Sequence, residues 1–179
     1  LDYRTGIKIT RFIGNAHTLD IHNKEELALS LNKLKELHNS GIAVNHIFDL
    51  RKRILAYEKL RIHKSKFPAY DMIRNHIMSL LDALDLIPKQ YVLCYIDANC
   101  DNFLISDDKK VFLIDFEYAG MQDLKLDLAM ICIYSDLDKI EIDQLIALYY
   151  GQPISRDIRY MIYAYIAIAG FLWSIWCEV

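Results

Sequence analysis

Four side chains with oxygen ligands cluster near the middle of this chain. Asp97 precedes Asn102 by five positions in "CYIDANCDNFLIS", and Asp115 and Glu117 follow in "VFLIDFEYAG". Each pair borders a short apolar run, so these groups sit where strands give way to loops. A carboxylate can take a proton from a hydroxyl. An amide oxygen with one or two further carboxylates can hold a hard divalent cation. Phosphoryl transfer needs that combination: a carboxylate beside the attacking hydroxyl and oxygen ligands for magnesium beside the phosphates. A D-x-x-x-x-N spacing alone recurs by chance, because Asp and Asn also favour plain turns. The ordered pair, D-x-x-x-x-N and then D-F-x after a hairpin, is far more specific.

The elements that must carry these residues are readable from periodicity. "GIKITRFI" (6–13) predicts a strand. Asn23 with Glu26 reads as a capping-box start, after which Leu27, Leu31, Leu34 and Leu37 keep helical spacing until Gly41. A second helix is predicted over Leu50, Ile54 and Tyr57. A third lies between Pro68 and Pro88, with Ile73, Ile77, Leu80 and Leu84 on one face. "YVLCY", "FLIS" and "VFLID" predict short strands, the last two joined by the turn "DDKK" (107–110). From about Asp123 the pattern is helical to the end. The expectation is a helical domain with one small hairpin bearing the polar residues.

Composition narrows the classes. The 179 residues are 54% hydrophobic and 25% charged with net charge −3, which predicts one domain or one large lobe with a sizeable core. No basic field points to nucleic acid. The four cysteines form no CxxC pair and are expected as free thiols in a reducing cytosol, with Cys94 and Cys100 as small buried hydrophobes. The six histidines form no HExxH or HxxxH pair, so no zinc site is expected and they are assigned as surface or core fillers. The first residues carry no signal-peptide pattern, and a cytoplasmic protein is expected. The apolar run from Met161 to Trp176 is shorter than the ~20 residues of a membrane span and predicts a buried helix.

The stretch "CYIDANCDNFLISDDKKVFLIDFEYAGMQDLKLDLA" resembles the core of LicA-type bacterial choline kinases, within the choline/ethanolamine kinase and aminoglycoside phosphotransferase group. "GFLWSIWCE" resembles their late tryptophan helix, and "GIKITRFIGNAHT" and "LNKLKELH" resemble earlier segments more weakly, all in the family order. The resemblance implies an α+β, mainly helical fold: the C-terminal lobe of a protein-kinase-like fold, spanning residues 1–179, with a small catalytic hairpin. Residues 1–14 would be the remnant of an N-lobe or hinge. It implies ATP-dependent, Mg2+-assisted transfer to the hydroxyl of choline, giving phosphocholine. Asp97 matches the catalytic aspartate; Asn102 and Asp115 match the magnesium ligands; Glu117 matches an acid near metal or substrate. Asp127 matches a buried aspartate that supports the catalytic loop, and Tyr118, Trp173 and Trp176 match aromatic positions of the choline site.

Aromatic faces are what a trimethylammonium group needs, since it has no hydrogen-bond donor. Tyr165, Ala169, Trp173 and Trp176 share a helix face, as a cage wall would, although such a stripe is ordinarily core. Two departures stand out. Tyr95 occupies the position where the family usually has His, and is expected to pack the loop in its place. The chain has no G-x-G-x-x-G and no G-x-x-x-x-G-K-[ST], so most of a phosphate-covering N-lobe is expected to be missing from it. Competing readings are a kinase of ethanolamine, another amino alcohol or an aminoglycoside, and a non-catalytic lobe that binds a small cation or a partner. Several amines would call for an acidic cleft, whereas Trp173 and Trp176 suit one methylated cation.

Overall fold

Local signals start the helices and burial completes them. The structure is a computed structural model that describes residues 4, 5, 7, 9–151 and 153–179. Asn23 caps α1 (Lys24–His38), accepting from the N–H groups of Glu25 and Glu26, while the Glu26 side chain reaches back to Asp20 N–H and the Asn23 amide. Asp49 caps α2 (Leu50–Leu60), and α3 covers Tyr70–Asp85. After the strands come α4 (Lys125–Tyr134), α5 (Lys139–Tyr150) and α6 (Arg156–Trp176). Asp138 and Glu141 form a full capping box on α5, and Gly151 ends it in the left-handed region at φ 69°.

Among the described residues, five strands form two sheets instead of one hairpin. In the first, β1 (Ala16–Thr18) pairs antiparallel with β3 (Phe103–Ser106), which pairs antiparallel with β4 (Val111–Leu113). In the second, β2 (Tyr91–Cys94) pairs antiparallel with β5 (Gly120–Asp123). "GMQD" has low strand propensity and no strand is expected there from the sequence; β2 on one edge and the His46–Phe48 segment on the other impose the extended form. The strand expected over 6–13 is not found: residues 6 and 8 lie outside the described residues, and 7 and 9–13 are in no strand. Ala16–Thr18 takes the edge of β3, after a turn at Asn15 with φ 52°. Ile9 and Phe12 stay exposed.

Helix α6 is the hub. It packs along α4 and also against α2 and α3. Its length and apolarity would suffice to cross a membrane, yet Met161, Ile162, Tyr165, Ile168, Ala169, Phe171, Leu172 and Ile175 are buried inside the fold. Helix α4 is buried from Lys125 to Cys132, including Asp127, and Lys125 is held by the buried Asp123 carboxylate at 2.9 Å. The Cys94 and Cys132 thiols are buried, while Cys100 is only partly so. Burial pushes the Cys132 thiol up to about 12, and burial with the nearby Asp127 and Asp123 charges pushes Cys94 well above its usual value, so both stay protonated.

The strand exchange at β5 demands a glycine. A Cβ on Gly120 would lie 2.8 Å from the His46 ring and 3.2 Å from the His46 carbonyl. Gly120→Ala should therefore cost about 1–3 kcal/mol in urea unfolding. Gly170 of α6 has nothing within 4 Å of its would-be Cβ. Gly170→Ala should add about 0.5–1 kcal/mol through backbone entropy alone. Equal effects of the two changes would contradict this packing.

Candidate active site

Tyr95, Ile96 and Asp97 leave β2 and enter the loop that ends in a single 3-10 turn, Cys100–Asn102. Ile96 has φ 69°, a conformation that a β-branched residue adopts only under constraint. The constraint is Asp127. Its Oδ2 accepts the Tyr95 N–H and its Oδ1 the Ile96 N–H, both at 2.7 Å. His38, at the end of α1, places Nε2 2.8 Å from Asp127 Oδ2 and Nδ1 2.7 Å from the Tyr149 hydroxyl. With Nε2–H donating to the carboxylate and Nδ1 accepting from Tyr149, every polar group in the chain of contacts is satisfied. His38, Cys94 and Asp127 lie close enough together to hold a cation. Their atoms are already engaged, however, with the Cys94 thiol donating to the Gln122 carbonyl at 3.3 Å. Tyr149, His38 and Asp127 form a hydrogen-bonded strut beside it.

The strut holds the loop so that Asp97 and Asn102 meet. The Asn102 amide nitrogen donates to Asp97 Oδ2 at 2.9 Å and to the Asp97 carbonyl at 3.0 Å. That commitment leaves the Asn102 side-chain oxygen to offer to a cation. Asp115 lies next to it by register. Phe103 pairs with Leu113, and the Ile114 N–H donates to the Asn102 carbonyl at 3.1 Å, so Asn102 and Asp115 leave the open end of the same hairpin. Asp115 has φ 57°, which turns the chain out of β4, and Asp115 and Glu117 are solvent-exposed. An oxygen set of one amide and one or two carboxylates fits the chemistry of a Mg2+ site.

Tyr95 lies fully buried beneath this junction. Its hydroxyl donates to the carbonyl of Ile114 and contacts that of Asn102 at 3.3 Å. Its ring stands edge-on to Phe103 and Phe116. Burial first, then the Asp97 and Asp115 charges, raise its phenol far above the usual range and keep it a donor.

On the other side of Asp97 is a wall of rings. Tyr118 and Trp173 stand edge to face at 5.5 Å, Trp173 and Trp176 at 6.0 Å, and Tyr134 tilts against Trp173 at 6.0 Å. The Trp173 indole N–H points away to the Met130 sulfur at 3.1 Å. The Tyr134 phenol lies near Asp97, and burial first, then that carboxylate, raise it and hold it protonated. Burial first, and then neighbouring Tyr57 of α2, raise the Tyr118 phenol. Trp176 is half exposed, so the wall opens to solvent at one end.

Several residues sit where the pattern did not put them. Tyr165 is buried at 1% exposure and its ring edges a cleft with Leu81, Leu84 and Gln122, remote from the tryptophans. The shared face was correct, but eight residues of helix put ~12 Å between Tyr165 and Trp173. Tyr57 and Tyr134 were missed as site residues because each occupies an apolar register of its helix. His38 is no filler. It continues the Leu27, Leu31, Leu34 stripe by one helical step, and a histidine on a buried stripe is the signal that could have revealed it.

The choline/ethanolamine kinase family model matches residues 2–142. Protein LicA of Haemophilus influenzae is 32% identical over 157 residues, which cover 85% of this chain and 58% of that protein. The crystal structure of choline kinase LicA from Streptococcus pneumoniae matches with a TM-score of 0.86 at 27% identity, covering 99% of this chain and 63% of that one. A structure of LicA in complex with AMP matches with a TM-score of 0.84, covering 62% of its chain. The chain thus spans less than two thirds of the length of these relatives. The mainly helical α+β architecture expected from the sequence is the one these kinase structures have. With most of its length matched by the family model, this chain is a member of the choline/ethanolamine kinase family.

Proposed function

We propose that this chain is the catalytic and acceptor-binding lobe of an ATP-dependent kinase that phosphorylates choline. The observation that carries this reading is the position of Asp97, hydrogen-bonded to Asn102 on one side and near enough to Tyr134 of the aromatic wall on the other to raise its phenol. A trimethylammonium group seated against Tyr118, Trp173 and Trp176 gains ~0.5–2 kcal/mol from each exposed face. Its hydroxyl, two carbons away, then reaches Asp97. The Asp97 carboxylate takes that proton as the choline oxygen bonds to the γ-phosphorus of ATP and the bond to ADP breaks. Mg2+, held by Asn102 and Asp115 with Glu117 nearby, would neutralise charge on the phosphates. Asp127 and Tyr95 keep the loop in the form that presents Asp97. Residues 1–14 would lead in from the phosphate-covering lobe, residues 1–3, 6 and 8 lying outside the described residues, and a cytoplasmic setting suits a chain with free thiols.

In a chain that also carries a phosphate-covering lobe, Asp97→Asn should lower kcat by about 10²–10⁴-fold while the choline KM changes little, because the carboxylate acts on the proton in the transition state. Steady-state kinetics decide it, and a near-normal kcat would remove Asp97 from the mechanism.

Residues 1–179 alone should bind choline weakly, quenching tryptophan fluorescence, and bind ethanolamine less well because its ammonium remains hydrated. Trp173→Ala should abolish the choline signal. Choline binding that survives loss of both tryptophans would contradict the cage.

A further inference from the structure

The Tyr95 hydroxyl is the one side-chain group described here that touches the backbone beside both proposed cation ligands. It contacts the carbonyl of Asn102 itself and donates to that of Ile114, the residue before Asp115. Those two strands are otherwise joined at this end by a single backbone bond, Ile114 N–H to the Asn102 carbonyl. The peptide that receives the hydroxyl leads directly into Asp115, whose φ of 57° lies in the region that non-glycine residues seldom adopt. A residue at positive φ holds its side chain in place only if the peptides around it are fixed. Tyr95 is itself immobile: it is fully buried, its N–H is taken by Asp127, and its ring is wedged between Phe103 and Phe116.

We infer that Tyr95 is a positioning residue for the divalent cation, its hydroxyl tying the catalytic loop to the Asp115 turn so that Asn102 and Asp115 present their oxygens at a fixed separation. This rests on the reading of Asn102 and Asp115 as cation ligands. The role follows from reach. A phenol carries its donor one ring beyond the backbone of β2, far enough to cross beneath the hairpin to Ile114. A Phe at this position would fill the same space and leave the Ile114 carbonyl without its donor. The Asp127 strut and the Tyr95 hydroxyl thus act in series, the first setting the loop backbone and the second coupling it to β4.

The test uses Mn2+ as the probe ion, titrated into the 179-residue chain and followed by electron paramagnetic resonance, with amide hydrogen exchange read in the same samples. Tyr95→Phe should raise the Mn2+ dissociation constant about tenfold, the usual cost of losing a group that orients a ligand. The same variant should speed exchange at the Ile114 amide about tenfold, and choline-dependent fluorescence should be unchanged. Tyr95→His, which keeps a ring N–H but shortens the reach, should recover part of both effects and serves as the second variant. Parent-like Mn2+ affinity and parent-like Ile114 exchange in Tyr95→Phe would overturn the inference. Asp115→Ala separates the two claims. Undiminished Mn2+ binding in that variant would sink the ligand assignment, while exchange at Ile114 would still decide whether Tyr95 couples the loop to the strand.

Discussion

A carboxylate with no solvent exposure is costly unless hydrogen bonds replace its water, and Asp127 has three such partners. Two of them are consecutive backbone N–H groups at the point where β2 becomes the Asp97 loop. Holding both requires Ile96 to take a positive φ, a strain of order 1–3 kcal/mol that charge-assisted bonds can offset. The kink redirects the chain so that Asn102 reaches Asp97 and lies opposite Ile114, beside Asp115. His38 closes the third side and passes the network to Tyr149 on α5. A residue buried in α4 thereby fixes a loop on the surface of the site.

Two kinds of order meet at Asp97. On the hairpin side the constraint is strand register, with Phe103 opposite Leu113 and the Tyr95 hydroxyl beneath. On the α6 side it is ring packing, with Trp173 in contact with Tyr118, Tyr134 and Trp176 at once. Register positions atoms sharply, which suits a cation and a proton acceptor. Angled rings tolerate small shifts of a rounded, non-hydrogen-bonding head group, which suits the proposed acceptor. Asp97 lies at the junction, so one loop serves both demands.

Much of this was legible in the residues. The cap at Asn23, leucine spacing in α1 and the apolar runs of β2, β3 and β4 are local signals, and the elements stand where those signals put them. The elements missed were decided at a distance. β5 is extended because β2 and the His46–Phe48 segment pair with it, and Gly120 is required by that close approach, whereas "GMQD" carries no strand propensity of its own. The run 6–13 has strand-like composition, yet its described residues are in no strand, and it is Ala16–Thr18 that pairs with β3. At the site, spacing marked Asp97, Asn102 and Asp115 as candidates. Tyr57, Tyr134 and His38 gave no motif, because their place is set by which helix face meets α6 or α4. Tyr165 shows the converse: a helical face can be read correctly and still extend past the site into the core.

Asp127 holds the loop, and amide exchange in Asp127→Asn measures that hold most directly. An amide can accept only through its single oxygen, so one of the two loop N–H groups must face a donor. Exchange at Tyr95 and Ile96 should quicken by at least about tenfold relative to amides in the middle of α6. If Tyr95 and Ile96 exchange as slowly in the variant as in the parent, the loop is held by something other than this carboxylate.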